Sequence, residues 1–323
     1  MTSISKKNFQ VNNVFGLTDV PDGVVIEGRE SSSVFVPKAD TYTFRKDDIR
    51  LLGAWMKIDN GDGLYLTGPT GSGKTSLINQ FCSRLNIPLQ QVTAHGRLET
   101  PELIGHQTVI GGDLVFQDGP LTTALRHGHW FLLNEADLLD PATAAGLNDV
   151  LEGQPLTIPD NGGEIVRPHP DFRFIATGNT NGGGDQDGLY MGTTQQNLAF
   201  MDRFLLMEVN YMDKETEVAV LESKVPEIPR DIIEMMVDVA NHIRNLFMGN
   251  SSDGDAIEVT MSTRTLVRWA QLTLFSSAKA SENQSPAEYA IKPALGYRAS
   301  PETSAALVEI VQRYFSGGSN GRS

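Results

Sequence analysis

The chain has 323 residues, 40% of them hydrophobic, and a formal net charge of −14. That length supports a sizeable core and two domains, and the acidic balance argues against non-specific binding of nucleic acid. No apolar run approaches a membrane span, no signal-peptide pattern opens the chain, and the one cysteine, Cys82, leaves no internal disulfide and no Cys-based zinc site, so the expected location is cytoplasmic.

Residues 1–45 mix short apolar pieces with Ser and Asp. Val24-Val25-Ile26 and Val34-Phe35-Val36 read as edge strands, the second ended by Pro37, within an N-terminal extension packed on the next domain. Asp47 to Lys57 carries Ile49, Leu51, Leu52 and Trp55 at helical spacing. Asn60-Gly61-Asp62-Gly63 then turns the chain into a first core strand at Leu64-Tyr65-Leu66. The helix that follows, with Leu77, Ile78 and Phe81, is expected to end near Asn86, because Pro88 cannot continue it. Leu89 to Ala94 is a second strand. A helix from Glu102 is interrupted by two β-rich runs around Gly111-Gly112-Asp113, which predicts a hairpin inserted over 107–119 before a helix resumes at Leu121.

Trp130-Phe131-Leu132-Leu133 is a continuous apolar run, the pattern of a parallel strand buried on both faces. Asp140-Pro141 starts a helix expected to run to about Glu152, with Gly153 as its stop. A second hairpin is expected over 155–167, turning at Asp160-Asn161-Gly162-Gly163. Phe172 to Ala176 and Leu205 to Val209 are the remaining core strands. Between them lie a glycine-rich loop, Asn181 to Gly192, and a short helix containing Met201-Asp202-Arg203-Phe204. From Asp213 the pattern is helical, over 214–224, 230–248, 262–278 and 301–316. Loops fall at Asp253-Gly254-Asp255 and from Ser281 to Pro286, and the Gly/Ser-rich tail from Ser316 to Ser323 is expected to be disordered. Strands alternating with helices, then helices alone, give an α/β class: a parallel-sheet nucleotide domain over 46–212 and a smaller helical lid domain over 213–323.

The chemistry starts at Gly68-Pro69-Thr70-Gly71-Ser72-Gly73-Lys74-Thr75, between a strand and a helix N-terminus. Glycines there let the backbone curl into a nest of N–H groups for phosphate, and the helix dipole adds positive potential. Lys74 reaches the β- and γ-phosphates, and Thr75 ligates Mg²⁺, so ATP and Mg²⁺ are the expected cofactors. The next core strand ends in Asn134-Glu135, where ATPases place one carboxylate to help hold Mg²⁺ and a second to polarise the attacking water. Glu135 fits the base. Asn134 stands where Asp is expected and offers an acceptor oxygen without charge. Two readings follow: a tolerated swap that slows turnover, or a site specialised to hold ATP. Asp137 is close in sequence and is a candidate to compensate.

Asn179 lies just past the end of the following strand, where it can meet the γ-phosphate or the attacking water, or simply favour a turn. Arg203 is a candidate to act on a neighbouring subunit's nucleotide, and Arg264, early in a helix of the second domain, to close over its own. Taken alone, each arginine also fits a surface or ion-pair role. His127 and His129 flank Gly128 without acidic or Cys partners nearby, which fits structural roles. His169, between two prolines, fits packing or loop geometry.

Together these elements resemble the AAA+ ATPases and, within them, the MoxR branch, whose features include hairpins at the positions of 107–119 and 155–167. Arg167-Pro168-His169-Pro170-Asp171-Phe172-Arg173-Phe174-Ile175-Ala176-Thr177-Gly178-Asn179-Thr180, Gly188-Leu189-Tyr190-Met191-Gly192-Thr193 and Ser262-Thr263-Arg264-Thr265-Leu266-Val267-Arg268-Trp269-Ala270 are similar to the small AAA+ subunits of aerobic cobaltochelatase, the CobS family, related to CbbQ, NirQ and NorQ. The resemblance implies Walker A roles for Lys74 and Thr75, the Walker B base at Glu135, sensor 1 at Asn179, the arginine finger at Arg203 and sensor 2 at Arg264. It also implies a homo-oligomeric ring, usually a hexamer, a von Willebrand A-domain partner, and ATP-driven remodelling of a protein client, often around metal or cofactor insertion. The Asn134 departure also leaves open an ATP-binding scaffold with little hydrolysis of its own.

Overall fold

The computed structural model describes residues 4–58, 61–185, 188, 190–249, 257–276 and 285–317. The loop expected at Asp253-Gly254-Asp255, most of the one from Ser281, and the tail beyond residue 317 lie outside the described residues. The chain divides into two compact units, residues 1–69 with 73–209, and residues 70–72 with 210–323.

The first unit is built on apolar runs closed by polar turns. Its strands are β1 (Lys6–Gln10), β2 (Val25–Arg29), β3 (Gly63–Thr67), β4 (Leu89–Thr93), β5 (Gly105–Ile110), β6 (Asp113–Asp118), β7 (Trp130–Asn134), β8 (Leu156–Ile158), β9 (Glu164–Val166), β10 (Arg173–Thr177) and β11 (Phe204–Glu208). Five of them form one parallel sheet in the order β11-β3-β10-β7-β4. Residues alternate between its two faces, as side chains on a strand must. Tyr65, Phe131, Leu133, Phe174 and Ala176 enter one core layer. Leu64, Leu66, Trp130, Leu132 and Ile175 enter the other. The helix Lys74–Arg84 covers the second layer with Leu77, Ile78, Phe81 and Cys82. Val11, Phe15, Leu17, Ile26, Phe44 and Trp55 from the N-terminal segment join that same layer. An aromatic chain ties them in: the ring centroids of Phe15 and Phe81 are 5.4 Å apart, those of Phe81 and Trp130 5.8 Å, and those of Trp55 and Trp130 5.3 Å.

Both inserted hairpins form. β5 pairs with β6 across Gly111-Gly112, whose φ values of 65° and 99° suit a two-residue turn with both central residues left-handed. β8 pairs with β9. Arg126 binds the two hairpins together, with Nε 2.7 Å from Asp118 and Nη1 2.7 Å from Glu164.

Two local expectations need correction. Val34-Phe35-Val36 is no strand: Ser33 O accepts from Val36 N in a tight turn, and Val34 is exposed. β2 pairs with β1, antiparallel from Lys6↔Arg29 to Gln10↔Val25, a polar stretch without strand periodicity. The helix expected from Pro141 to Glu152 breaks into Pro141–Ala145 and Asn148–Leu151: Gly146 N still reaches Ala142 O, four residues back, but Leu147 N turns to Ala144 O, three residues back.

The second unit contains helices Lys214–Lys224, Arg230–Phe247, Thr263–Ser276, Pro286–Ala294 and Pro301–Gly317. Pro286–Ala294 is one more than expected. Its start carries a legible cap, Ser285 Oγ accepting from Glu288 N, but Pro293 inside its last turn disguises the helix in sequence. At the centre of this unit Arg244 and Glu217 form a buried bidentate pair, both contacts 2.7 Å. Arg244 Nε also donates to Met261 O, and Thr263 Oγ1 donates to Glu217, so the pair is held with its hydrogen bonds met. Among the described residues no helix is long and apolar enough to cross a membrane.

Candidate nucleotide site

In a parallel sheet the C-terminal ends of neighbouring strands converge. Here β3, β10 and β7 are adjacent, so the phosphate loop after β3, Asn179 after β10 and Asn134-Glu135 at the end of β7 meet at one sheet edge. The helix Lys74–Arg84 starts at Gly73 with no side-chain cap, leaving its first amides free to face a ligand. Ser72 Oγ, in the same loop, is buried with no hydrogen-bond partner among the described residues. An uncapped helix start beside an orphaned hydroxyl fits a phosphate group.

The loop's backbone demands glycine. Gly68 has a φ of 143°, and a Cβ there would lie 2.3 Å from Val209 O. Gly68→Ala is expected to lower the stability of the first unit by about 2 kcal/mol or more, because both the dihedral and the contact are strained. Calorimetric melting checks this, and an unchanged midpoint would show that the loop can rearrange around a side chain.

Lys74 is buried, and its Nζ donates to Gly68 O at 2.7 Å, Pro69 O at 3.0 Å and Asn179 Oδ1 at 3.1 Å. Burial pushes its ammonium down to about 8, against the pull of Asp137 and Glu135. Thr75 Oγ1 donates to Asn134 Oδ1 at 2.6 Å. Mg²⁺ keeps several waters and takes few protein ligands when phosphates supply the rest, so a hydroxyl and an amide oxygen at this separation fit it. Thr75 would hold the ion and Asn134 would offer an acceptor oxygen beside it. Glu135 is exposed, stands in the left-handed region at φ 54°, and its N–H donates to Thr177 Oγ1 at 3.2 Å. Left-handed backbone at a residue with a Cβ costs about 1 kcal/mol, and such strain concentrates at functional positions.

Arg203 lies apart from this cluster. Arg203 precedes β11, and its carbonyl accepts from Gly63 N at the start of β3. It therefore sits at the opposite sheet edge from the phosphate loop, a five-residue strand away, roughly 16 Å at the usual rise. Its guanidinium pairs with Glu152 and the Ala199 carbonyl, and its buried Nε has no hydrogen-bond partner among the described residues. Arg264 is an exposed side chain in the first turn of Thr263–Ser276, in the second unit.

Residues 63–204 match the family described as AAA domain (dynein-related subfamily), and residues 215–314 match the CbbQ/NirQ/NorQ C-terminal family. The aerobic cobaltochelatase subunit CobS of Sinorhizobium sp. is 31% identical over 284 residues, 84% of this chain and 82% of that protein. The chain belongs to the MoxR-like AAA+ family. An uncharacterized protein of Staphylococcus epidermidis is 30% identical over 215 residues, 65% of this AAA+ chain and 77% of that protein. Among solved structures, a mutant RuvB from Thermotoga maritima gives a TM-score of 0.50 at 14% identity over 76% of this chain and 67% of that one, a likeness of fold alone.

Sequence reasoning left one residue of this AAA+ domain without a direction. Asp137 is fully buried, and its Oδ2 accepts from Asn179 N at 2.7 Å and Thr180 N at 3.0 Å. It holds the chain beyond β10 rather than bonding to Asn134 or Thr75. Its closeness in sequence made it a candidate to compensate for Asn134, but the local pattern could not give its direction, because its partners lie 42 and 43 positions away.

Proposed function

We propose that this AAA+ chain is a Mg²⁺-dependent ATPase that works as a hexameric ring in a cytoplasmic setting. Its task is to remodel a protein client together with a partner bearing a von Willebrand A domain. The observation that carries the reading is the convergence of three strand ends: Lys74 Nζ lies 3.1 Å from Asn179 Oδ1, and Thr75 Oγ1 lies 2.6 Å from Asn134 Oδ1. Lys74 and the loop amides bind the β- and γ-phosphates, and Asn179 orients the γ-phosphate or the water that attacks it. Thr75, with Asn134 beside it, would hold Mg²⁺, which would supply neutralising charge to the phosphates. Glu135 takes a proton from water as its oxygen bonds to the γ-phosphorus, and the bond to the bridging oxygen breaks with its electrons leaving on ADP. Arg203, at the far sheet edge of its own chain, is suited to reach the nucleotide of a neighbouring copy, and Arg264 to contribute from the helical unit. The apolar tip of the first hairpin, with Val109, Ile110, Leu114 and Val115 exposed, is a surface to offer a client. The similarity to a cobaltochelatase subunit suggests metal insertion, such as cobalt chelation, as the process served.

Asn134 supports a second reading, an ATP-held scaffold with little turnover, because the Thr75 hydroxyl meets an amide oxygen where a carboxylate is expected. ATP hydrolysis measured against protein concentration separates them. The motor reading expects activity per chain to rise with concentration and level off, as sites complete between copies. Asn134→Asp is expected to raise the plateau about tenfold by adding charge beside the metal. ATP binding without hydrolysis at any concentration in the parent, with a large gain in Asn134→Asp, establishes the scaffold instead.

A further inference from the structure

Asp137 does more in this fold than its sequence position suggests. Its side-chain hydrogen bonds converge on one oxygen: Asn179 N at 2.7 Å, Thr180 N at 3.0 Å and Thr180 Oγ1 at 3.4 Å reach Oδ2. The other oxygen, Oδ1, is buried and has no hydrogen-bond partner among the described residues. A buried carboxylate oxygen left unpaired is costly, so the group is held in place by what Oδ2 does. Tyr65 works from the opposite side, its Oη donating to Thr180 O at 3.2 Å. Gly178 passes between them: a Cβ there would lie 2.0 Å from Tyr65 Oη and 3.1 Å from Asp137 Cγ. The backbone at 178–180 is thus clamped on both sides, just where Asn179 Oδ1 meets Lys74 Nζ at 3.1 Å.

The same residue grips a second segment through its backbone. Asp137 O accepts from Thr194 N at 2.8 Å, and Leu139 O accepts from Thr194 Oγ1 and Gln196 Nε2, both at 2.9 Å. That segment leads through Asn197, which caps the short helix Leu198–Met201, to Arg203.

We propose that Asp137 is a positioning residue for γ-phosphate recognition, holding Asn179 at its place over Lys74 through the Asn179 and Thr180 amides. For positioning, an acceptor oxygen at the Oδ2 position suffices; the carboxylate charge, which also pulls Lys74 toward its protonated form, bears on ATP and ADP alike. The inference rests on the nucleotide-site reading above, and two independent readouts keep the failure of one distinct from the failure of the other.

The first readout is ATP and ADP affinity by calorimetry in a Glu135→Gln background, which removes turnover from the comparison. Asp137→Ala is expected to lower the preference for ATP over ADP at least about fivefold while its ADP affinity stays within about twofold of that of Asp137→Asn, since the two variants lose the same charge and only Ala misplaces the γ-phosphate contact. Asp137→Asn, with its amide oxygen turned to the two N–H groups, is expected to keep the preference within about twofold. Adding Asp137→Ala to Asn179→Ala is expected to change the preference no further, as for two residues acting through one contact. The second readout is amide hydrogen exchange over residues 173–183, expected to quicken in Asp137→Ala and not in Asp137→Asn. Where Asp137→Ala fails to fold, Asp137→Glu, which shifts the carboxylate by one methylene, is expected to show the same loss of preference. The proposal is overturned if ADP affinity falls in step with ATP, if Asn is as damaging as Ala, or if exchange over 173–183 is unchanged. If the parent binds neither nucleotide, the proposed function fails and hydrogen exchange alone decides the positioning role.

Discussion

Glu135→Gln is expected to cut ATP hydrolysis by about a thousandfold while ATP affinity stays within about threefold, because a general base contributes about 10²–10⁴ to rate and little to ground-state binding. The geometry makes the separation clean. Glu135 is exposed at the end of β7, whereas the groups assigned to phosphate and Mg²⁺, Lys74 and Thr75, are fixed by Asn179 and Asn134 rather than by Glu135. Glutamine keeps the size of the side chain and its left-handed backbone, so the substitution tests chemistry rather than folding. Single-turnover hydrolysis and equilibrium binding measure the two quantities separately. Hydrolysis at the parental rate would sink the base assignment and move attention to a group from a second chain.

Lys74→Ala is expected to weaken both ATP and ADP binding by about a hundredfold or more, a loss of about 3 kcal/mol, typical for removing a buried cation from a phosphate contact. In this structure Lys74 Nζ is held by two loop carbonyls and Asn179, and burial lowers its pKa to about 8. Phosphate oxygens replace those neutral acceptors with charged ones, so the ammonium gains on binding a charge pairing that amide oxygens do not give. The removed side chain also leaves Gly68 O and Pro69 O without the Lys74 donor, which is expected to loosen the loop. Calorimetric titration with ADP checks the loss, and unchanged affinity would mean that the loop amides alone hold the phosphates.

Much of this was legible in the chain. The five core strands, the two inserted hairpins and the strand–loop–helix setting of residues 68–75 all follow from short-range patterns: apolar runs, Gly-Gly and Asn-Gly turns, and proline stops. Where the reading failed, the cause was again specific. β1 is polar and exposed, so its strand character comes from pairing with β2 and not from its own side chains. A tighter turn at Leu147 interrupted a helix that its neighbours' propensities favoured, and Pro293 hid one that Ser285 and Glu288 announced.

The sequence by itself determined that a phosphate loop opens a helix, that apolar strands surround it, and that Asn134 stands where a carboxylate is expected, since each depends on neighbours in the chain. The tertiary structure decided which strand ends share an edge. It set Asn179 against Lys74 across 105 positions, turned Asp137 toward the Asn179 and Thr180 amides, and placed Arg203 at the opposite edge of the sheet. Those facts come from strand order and from packing on two faces of one sheet, and both are settled by contacts between distant residues that no local pattern encodes.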